Sequence, residues 1–319
     1  MINQIRIGTR ESQLALWQAE LVQKKLSENG FDAVLVPIKS EGDLDLQTPL
    51  YDMGVQGIFT RSLDIALLNN KIDLAVHSMK DVPTQLPAGI VQGAVLTRGS
   101  FKDILVPKKK SDIDSHWQKL KKGEPLGQEY APLTIATSSI RRKAQWLNHY
   151  PDHTVESLRG NVNTRLNKLE ESNWDAAIFA AAGLERIGLR PGTAIDLDWM
   201  LPAPAQGAIV AVCREQDLQT RAACEAFNDP QTALCTFIER DFLRALLGGC
   251  STPISALAEI KDRTVHFLGN IVSPDGKIKV EIEKILPVEQ AGHLGEGAAQ
   301  EIMQKGAPKV TEMLINAKK

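Results

Sequence analysis

Residues 72–83, IDLAVHSMKDVP, decide how the rest of the chain is read. IDLAV (72–76) has the length and apolar character of a short strand buried in a sheet. HSMKDVP (77–83) follows at once, turning polar at the strand's carboxyl end and stopping at Val-Pro. Open α/β sheets bind ligands beyond the carboxyl ends of their strands. Ser78, Lys80 and Asp81 therefore put a hydroxyl, a cation and a carboxylate within four residues at such an end. A carboxylate there can stabilise a cationic intermediate or manage protons. The competing account is a polar turn in which Asp81 only caps backbone amides.

Working outward, the first 100 residues alternate between strand and helix patterns. Ile2–Gly8 reads as a strand, Glu11–Asn29 as an amphipathic helix closed by Gly30, and Ala33–Ile38 as a second strand. Phe59–Asn70 is a helix with Phe59, Leu63, Ala66 and Leu67 on one face. Such alternation predicts a parallel, doubly wound sheet. The lysine-rich stretch 107–131 reads as a solvated surface insertion or hinge region. A second unit follows, with strands at Leu133–Ala136 and Asp175–Ala180 and helices at Ser139–Tyr150 and Asn161–Glu171. LPAPAQGAIVAVC (201–213) returns the chain to a strand. The last third changes to helices, then to strands at Ile254–Ile260, Val265–Val272 and Lys277–Ile285, the last two joined by the turn Ser-Pro-Asp-Gly at 273–276. Gly292–Ala317 closes the chain as a broken helix. No internal repeat is visible in the residues.

Composition narrows the partners. Lys and Arg number 37 against 39 Asp and Glu, a net charge of -2, so no global basic field draws the chain to nucleic acid or an anionic membrane. No apolar run approaches a membrane span, and no signal-peptide pattern opens the chain. The four cysteines, Cys213, Cys224, Cys235 and Cys250, form no CxxC and no zinc-finger spacing with histidine, and no HExxH occurs, so no metal is expected. Free thiols without an export signal predict the cytoplasm. Nucleotide cofactors are not favoured, because neither a Walker motif nor a GxGxxG after a strand is present.

Anion binding must then come from locally concentrated arginines. TSSIRR (137–142) puts Thr137, Ser139, Arg141 and Arg142 at a strand-to-helix turn. Free helix amides and forked guanidiniums there suit carboxylates. LRGNVNTRL (158–166) repeats the device with Arg159 and Arg165; Arg10 opens the first helix in GTRES (8–12), and Arg186 follows the strand end at 181–183. Each arginine alone reads as a solvated surface side chain. Several at turns that converge on one cleft predict a ligand with many carboxylates or phosphates.

Cys250 stands apart. In LLGGCSTP (246–253) it follows two glycines that end a helix, whereas Cys235 sits beside an apolar helical stripe of Leu234, Ile238, Phe242 and Leu246. An idle thiol and a reactive one are equally compatible with that spacing.

Five stretches, GTRESQLALWQA (8–19), DLAVHSMKDVPTQLP (73–87), TSSIRRKAQ (137–145), LRGNVNTRLNKL (158–169) and LLGGCSTPI (246–254), resemble in order the motifs of the porphobilinogen deaminase family, also called hydroxymethylbilane synthase. The similarity runs from about residue 5 to 260. The resemblance implies an α/β fold with two periplasmic-binding-protein-like doubly wound domains, a cleft between them, and a smaller C-terminal α+β domain. Domain 1 would comprise 1–100 plus 202–222, domain 2 101–201, and domain 3 223–319. It implies head-to-tail polymerisation of four porphobilinogen molecules into hydroxymethylbilane with release of ammonia, primed by a dipyrromethane held as a thioether. By this resemblance Cys250 anchors the cofactor and Asp81 is the catalytic residue, stabilising the cationic azafulvene left when ammonia departs. Ser78, Lys80, Thr137, Ser139, Arg141 and Arg142 are cofactor contacts. Arg10, Ser12, Arg61, Arg159, Arg165, Arg186 and Gln206 are substrate contacts. The partners are porphobilinogen and the growing polypyrrole chain, and the protein is expected to be a monomer.

The chain departs from the family at several places. VQGIF (55–59) puts Gln56 at a lysine position, and Arg61 stands where lysine is usual. LPAPAQGA (201–208) replaces the common LPAVGQGA, adding Pro204 and losing a glycine at Ala205. Val212 replaces a frequent glutamate, and 107–131 is longer than usual. A two-lobed organic-anion binding module and a family member that binds tetrapyrrole without turnover are the alternatives. A GGC corner serves no purpose in the former, and Gln56 favours the latter.

Overall fold

A computed structural model describes residues 4–39, 60–109, 114–122, 124, 126–127, 129–246 and 252–306. The first five-stranded sheet contains β1 (Ile5–Thr9), β2 (Ala33–Pro37), β3 (Leu74–Ser78), β4 (Ile90–Val95) and β10 (Ile209–Arg214), in the order β2-β1-β3-β10-β4. α1 (Gln13–Glu28) covers one face. Ser12 caps it by accepting from the Ala15 amide, and Ala19, Val22 and Leu26 recur at helical spacing as its buried stripe. Gly30 at φ 80° ends it, a backbone state that glycine adopts without a Cβ clash. α2 (Arg61–Leu68) packs Leu63, Ala66 and Leu67 against the opposite face with Ile72 and Ala75.

β1 is parallel to β2 and β3, as expected, but β10 runs antiparallel to both β3 and β4. The purely parallel sheet is thereby corrected to a mixed one. Alternating strands and helices mark the local crossovers, but they say nothing about the direction in which a strand re-enters after a long excursion.

That excursion builds a second sheet. Its elements are β5 (Asp103–Pro107), α3 (Asp114–Lys121), β6 (Thr134–Ala136), α4 (Ile140–His149), β7 (Thr154–Glu156), α5 (Val162–Glu171), β8 (Ala176–Ala180), α6 (Ala181–Glu185) and β9 (Ile195–Asp196). The strand order is β7-β6-β8-β5-β9. β6 is parallel to β7 and β8, and β5 is antiparallel to β8 and β9, so β5 fills the place that β10 fills in the first sheet. The two sheets share an architecture that no sequence repeat betrays.

The lysine-rich stretch is not merely a solvated insertion. α3 lies within it and buries His116, Trp117 and Leu120, the last two in the second sheet's core with Leu133, Ile135 and Trp146. Two apolar residues among many lysines are too weak a periodic signal to outweigh the charge, yet their spacing suffices once a core is available.

Two crossings join the sheets, residues 96–102 outward and 197–208 back, and they touch: the Gly99 amide donates to Gly207 O at 3.0 Å. A Cβ at Gly207, whose φ is 88°, would lie 2.6 Å from Ser100 O and 2.8 Å from Gly99 O. Only glycine lets these backbones meet so closely.

After β10, α7 (Leu218–Glu225) returns Ala223 and Cys224 to the first sheet's core. α8 (Pro230–Ala245) and α9 (Leu294–Gln304) then cover an antiparallel sheet of β11 (Ile254–Lys261), β12 (Thr264–Val272) and β13 (Lys279–Pro287). Phe242 meets Phe267 edge to face at 5.2 Å in the core of this C-terminal unit. Burying one such ring contributes on the order of 2 kcal/mol. The turn at 273–276 joins β12 to β13 with Gly276 at φ 75°. The closing helix ends at Gln304, and residues 307–317 of the expected broken helix lie outside the described residues. Among the described residues, no helix is long and apolar enough to cross a membrane.

Candidate active site

β3 delivers the turn at 78–83 to the side of the first sheet that faces the crossings. Met79 donates its amide to Ala208 O at 3.0 Å, which ties the turn to the end of the returning crossing. From this turn a chain of polar contacts leads into the second sheet. Lys80 Nζ donates to Gln206 Oε1 at 3.2 Å, and Gln206 Nε2 donates to Asp103 Oδ1 at 2.9 Å. Asp103 also accepts from Arg141 Nη2 at 2.7 Å and from Arg142 Nε and Nη2 at 3.0 and 2.7 Å. Lys80, Gln206, Arg141 and Arg142, named from the sequence, are thus brought together. Asp103, which organises them, was missed; as the first residue of an apolar strand it resembled an ordinary strand-end acid.

Thr137 and Ser139 belong to the same corner, but their hydroxyls face local donors. Thr137 Oγ1 accepts from the Ser139 amide at 3.2 Å, and Ser139 Oγ caps α4 by accepting from the Arg142 amide at 3.4 Å. Ser78 exchanges hydrogen bonds with Gln18 of α1, Nε2 donating to Oγ at 2.8 Å. Ser12 is the cap of α1.

Burial and charge give the cluster its character. Burial, with Arg142 beside it, lowers the Lys80 ammonium to about 8, against Asp81 and Asp103, which raise it. Burial raises the Asp103 carboxyl, but Arg141, Arg142 and Lys80 overcome it and hold it at about 2. Burial also lowers Arg141, and it brings Arg165 down to about 10 with Arg142 adding repulsion and Asp81 opposing. Arg165 feels Arg159 as well, and its Nε donates to Gly160 O at 2.7 Å. Lys80, Arg141, Arg142, Arg159 and Arg165 therefore share one electrostatic neighbourhood with two carboxylates, Asp81 and Asp103.

Arg186 sits at the crossings instead. Its Nη2 donates to Gly207 O at 2.6 Å, its guanidinium lies 5.8 Å from the Trp17 ring, and burial lowers it to about 10. Arg10 lies beside His77, which burial and that arginine lower to about 4; His77 Nε2 is buried without a partner among the described residues. Arg61 is exposed at the start of α2, with no described contact to the cluster. Gln56 (within 40–59) and Cys250 (within 247–251) lie outside the described residues. Cys213, Cys224 and Cys235 are buried and free, in keeping with core packing. Among the described residues, no three metal-ligating side chains group together.

Among the described residues, this neighbourhood holds more cations than carboxylates, and buried cations are ordinarily paired with negative charge. Fold and site thus define a two-lobed α/β protein with a cationic cluster where its two sheets are joined. Residues 5–222 match the family model described as porphobilinogen deaminase, dipyrromethane cofactor binding domain, and residues 233–304 match its C-terminal domain. A porphobilinogen deaminase of Syntrophotalea carbinolica is 40% identical over 318 residues, spanning 97% of this chain and 96% of that protein. One of Pelobacter propionicus is 39% identical over 313 residues, with the same coverage. A probable amino-acid transporter extracellular-binding protein of Bacillus subtilis superposes with a TM-score of 0.40 at 13% identity, over 71% of this chain and 90% of that one, too distant to carry an argument.

The chain belongs to the porphobilinogen deaminase family. It is a transferase of tetrapyrrole biosynthesis that polymerises porphobilinogen and uses a dipyrromethane cofactor, and the binding-module alternative is not favoured.

Proposed function

We propose that the cationic cluster at Lys80, Arg141, Arg142, Arg159 and Arg165 holds the carboxylate arms of the dipyrromethane and the growing chain while Asp81 serves the reacting end. The observation that carries this reading is the clustering of charge: among the described residues, Lys80, Arg141, Arg142, Arg159 and Arg165 share a partly buried neighbourhood with Asp81 and Asp103. Such a convergence of cationic donors suits a polycarboxylate, and the donor set therefore fits the cofactor. When bound, the dipyrromethane supplies the primer to which pyrroles are added.

The chain's own residues do the rest. Asp103 keeps Arg141 and Arg142 in place, and Gln206 passes that order to Lys80. Asp81 stabilises the positive charge left on a pyrrole when ammonia departs. Arg10, Ser12, Arg61, Arg186 and Gln206 complete the substrate surface, Ser78, Thr137 and Ser139 the cofactor's, and Cys250 is the thioether anchor. The reading includes three domains, 1–100 plus 202–222, 101–201 and 223–319. It also takes the protein to be a cytoplasmic monomer, and the near balance of charge supports the absence of nucleic-acid or membrane partners.

Intact mass with and without porphobilinogen tests the assignment. The purified protein should carry a covalent adduct of two pyrrole units that Cys250→Ser lacks. Asp81→Ala should keep fold and adduct yet lose turnover. Active protein with an unmodified mass would sink the anchor, and near-normal turnover in Asp81→Ala would sink the catalytic role.

A further inference from the structure

Arg240 projects from α8 of the C-terminal unit onto the turn that carries Lys80 and Asp81. Its Nη1 donates to Met79 O at 3.3 Å and to Val82 O at 2.9 Å, and its Nη2 donates to Pro83 O at 2.6 Å. Three successive bonds therefore grip the main chain on both sides of Asp81. Within the turn, the Val82 amide bonds Met79 O at 3.2 Å. A planar guanidinium with donors in a fixed fork can hold several convergent carbonyls, whereas a lysine offers a mobile point charge.

The grip has a rigid base. Glu239, the preceding residue on α8, is buried and accepts from Arg98 Nη1 at 2.6 Å, from the Ala205 amide at 2.6 Å and from the Ala258 amide at 2.7 Å. One helical turn thus fastens both crossings, the C-terminal sheet and the Asp81 turn.

We propose that Arg240 is a positioning residue for the polymerisation reaction, setting the main chain from which Asp81 reaches the site. The inference rests on the reading of Asp81 as the catalytic carboxylate. Displacing a reacting group by about 1 Å costs up to about 100-fold in rate. Losing the three bonds should therefore reduce turnover more than substrate binding.

The test uses primer-loaded protein. Arg240→Gln and Arg240→Lys are compared with Arg244→Ala, a change at an exposed arginine on the same helix. Intact mass reports primer loading, thermal melting reports folding, and initial rates on porphobilinogen separate kcat from KM. Arg240→Gln should stay loaded and folded, with kcat down about 10- to 100-fold and KM within about 3-fold of the parent. Added guanidinium at non-denaturing concentration should restore part of the lost rate, Arg240→Lys should fall between, and Arg244→Ala should match the parent. A parent-like kcat in Arg240→Gln beside an inactive Asp81→Ala overturns the inference alone. A rate loss that tracks lost loading or melting, without guanidinium rescue, also overturns it by making Arg240 a structural brace. An active Asp81→Ala overturns the underlying reading and this inference with it.

Discussion

The backbone amide of Ala205 donates to Glu239 Oε2 at 2.6 Å, while Ala205 itself sits at φ 61° in the left-handed region. Glycine is the residue that adopts such a backbone state without a Cβ penalty. An L-residue there costs roughly 1–2 kcal/mol, because its Cβ crowds the following carbonyl. Glycine removes that cost but adds freedom to the unfolded chain. Ala205→Gly should therefore raise the unfolding free energy by roughly 0.5–1 kcal/mol, measured by urea denaturation. A fall would show that the junction holds Ala205 without strain.

Glu239 is the opposite case. Fully buried, it meets Arg98 through bonds of 2.6 and 3.1 Å and takes the Ala205 and Ala258 amides as well. Truncating it leaves a largely buried guanidinium and two amides without an acceptor. Glu239→Ala should destabilise the protein by about 3–5 kcal/mol in equilibrium denaturation. A loss below about 1 kcal/mol would mean that water replaces the carboxylate at the junction.

Asp103 predicts a pH dependence. Its folded carboxyl lies near 2, below the ordinary value of about 3.9 for an unfolded Asp. The unfolded chain therefore binds the proton first as pH falls. The stabilisation is complete above about pH 4 and is lost as pH drops through the folded value near 2. Its size at neutral pH is on the order of 2–3 kcal/mol. Asp103→Asn should flatten stability against pH across that window, as followed by urea titrations. An unchanged acid limb would assign the dependence to other carboxylates.

Lys80 makes a prediction about binding. Lowered to about 8 by burial and Arg142, it is partly neutral at pH 8.5 in the protein without cofactor. A carboxylate arriving beside it favours the ammonium. Loading the cofactor-free protein at pH 8.5 should therefore take up protons, seen as heats that vary with buffer ionisation enthalpy. Lys80→Met should abolish the Lys80 share of that uptake. Identical uptake in the variant would place the titrating group elsewhere.

The mixed record of the sequence has physical causes. Elements dominated by local spacing were readable: α1 with its Ser12 cap and Gly30 stop, β3 with its polar end, and the hairpin at 273–276. α3 was hidden because its lysines masked two buried apolar residues. The antiparallel entry of β10 was hidden because strand direction depends on where a chain returns from. Lys80, Arg141, Arg142 and Gln206 could be named as residue types at strand-to-helix turns. Asp103, Glu239 and Arg240 could not, since each looks ordinary in its own segment and gains meaning from partners 19 to 161 residues away.

By itself the sequence determined the α/β class, the motifs of the family, and the cationic and acidic side chains available for polymerising a polycarboxylate substrate. Those follow from local periodicity and from residue chemistry, which every short stretch carries with it. The tertiary structure alone decided how they are arranged. It placed Asp103 between two arginines, set Lys80 against Gln206, and laid Arg240 of the C-terminal unit across the Asp81 turn. The reason is that buried charges must find partners, and only the folded chain brings distant partners within hydrogen-bond reach.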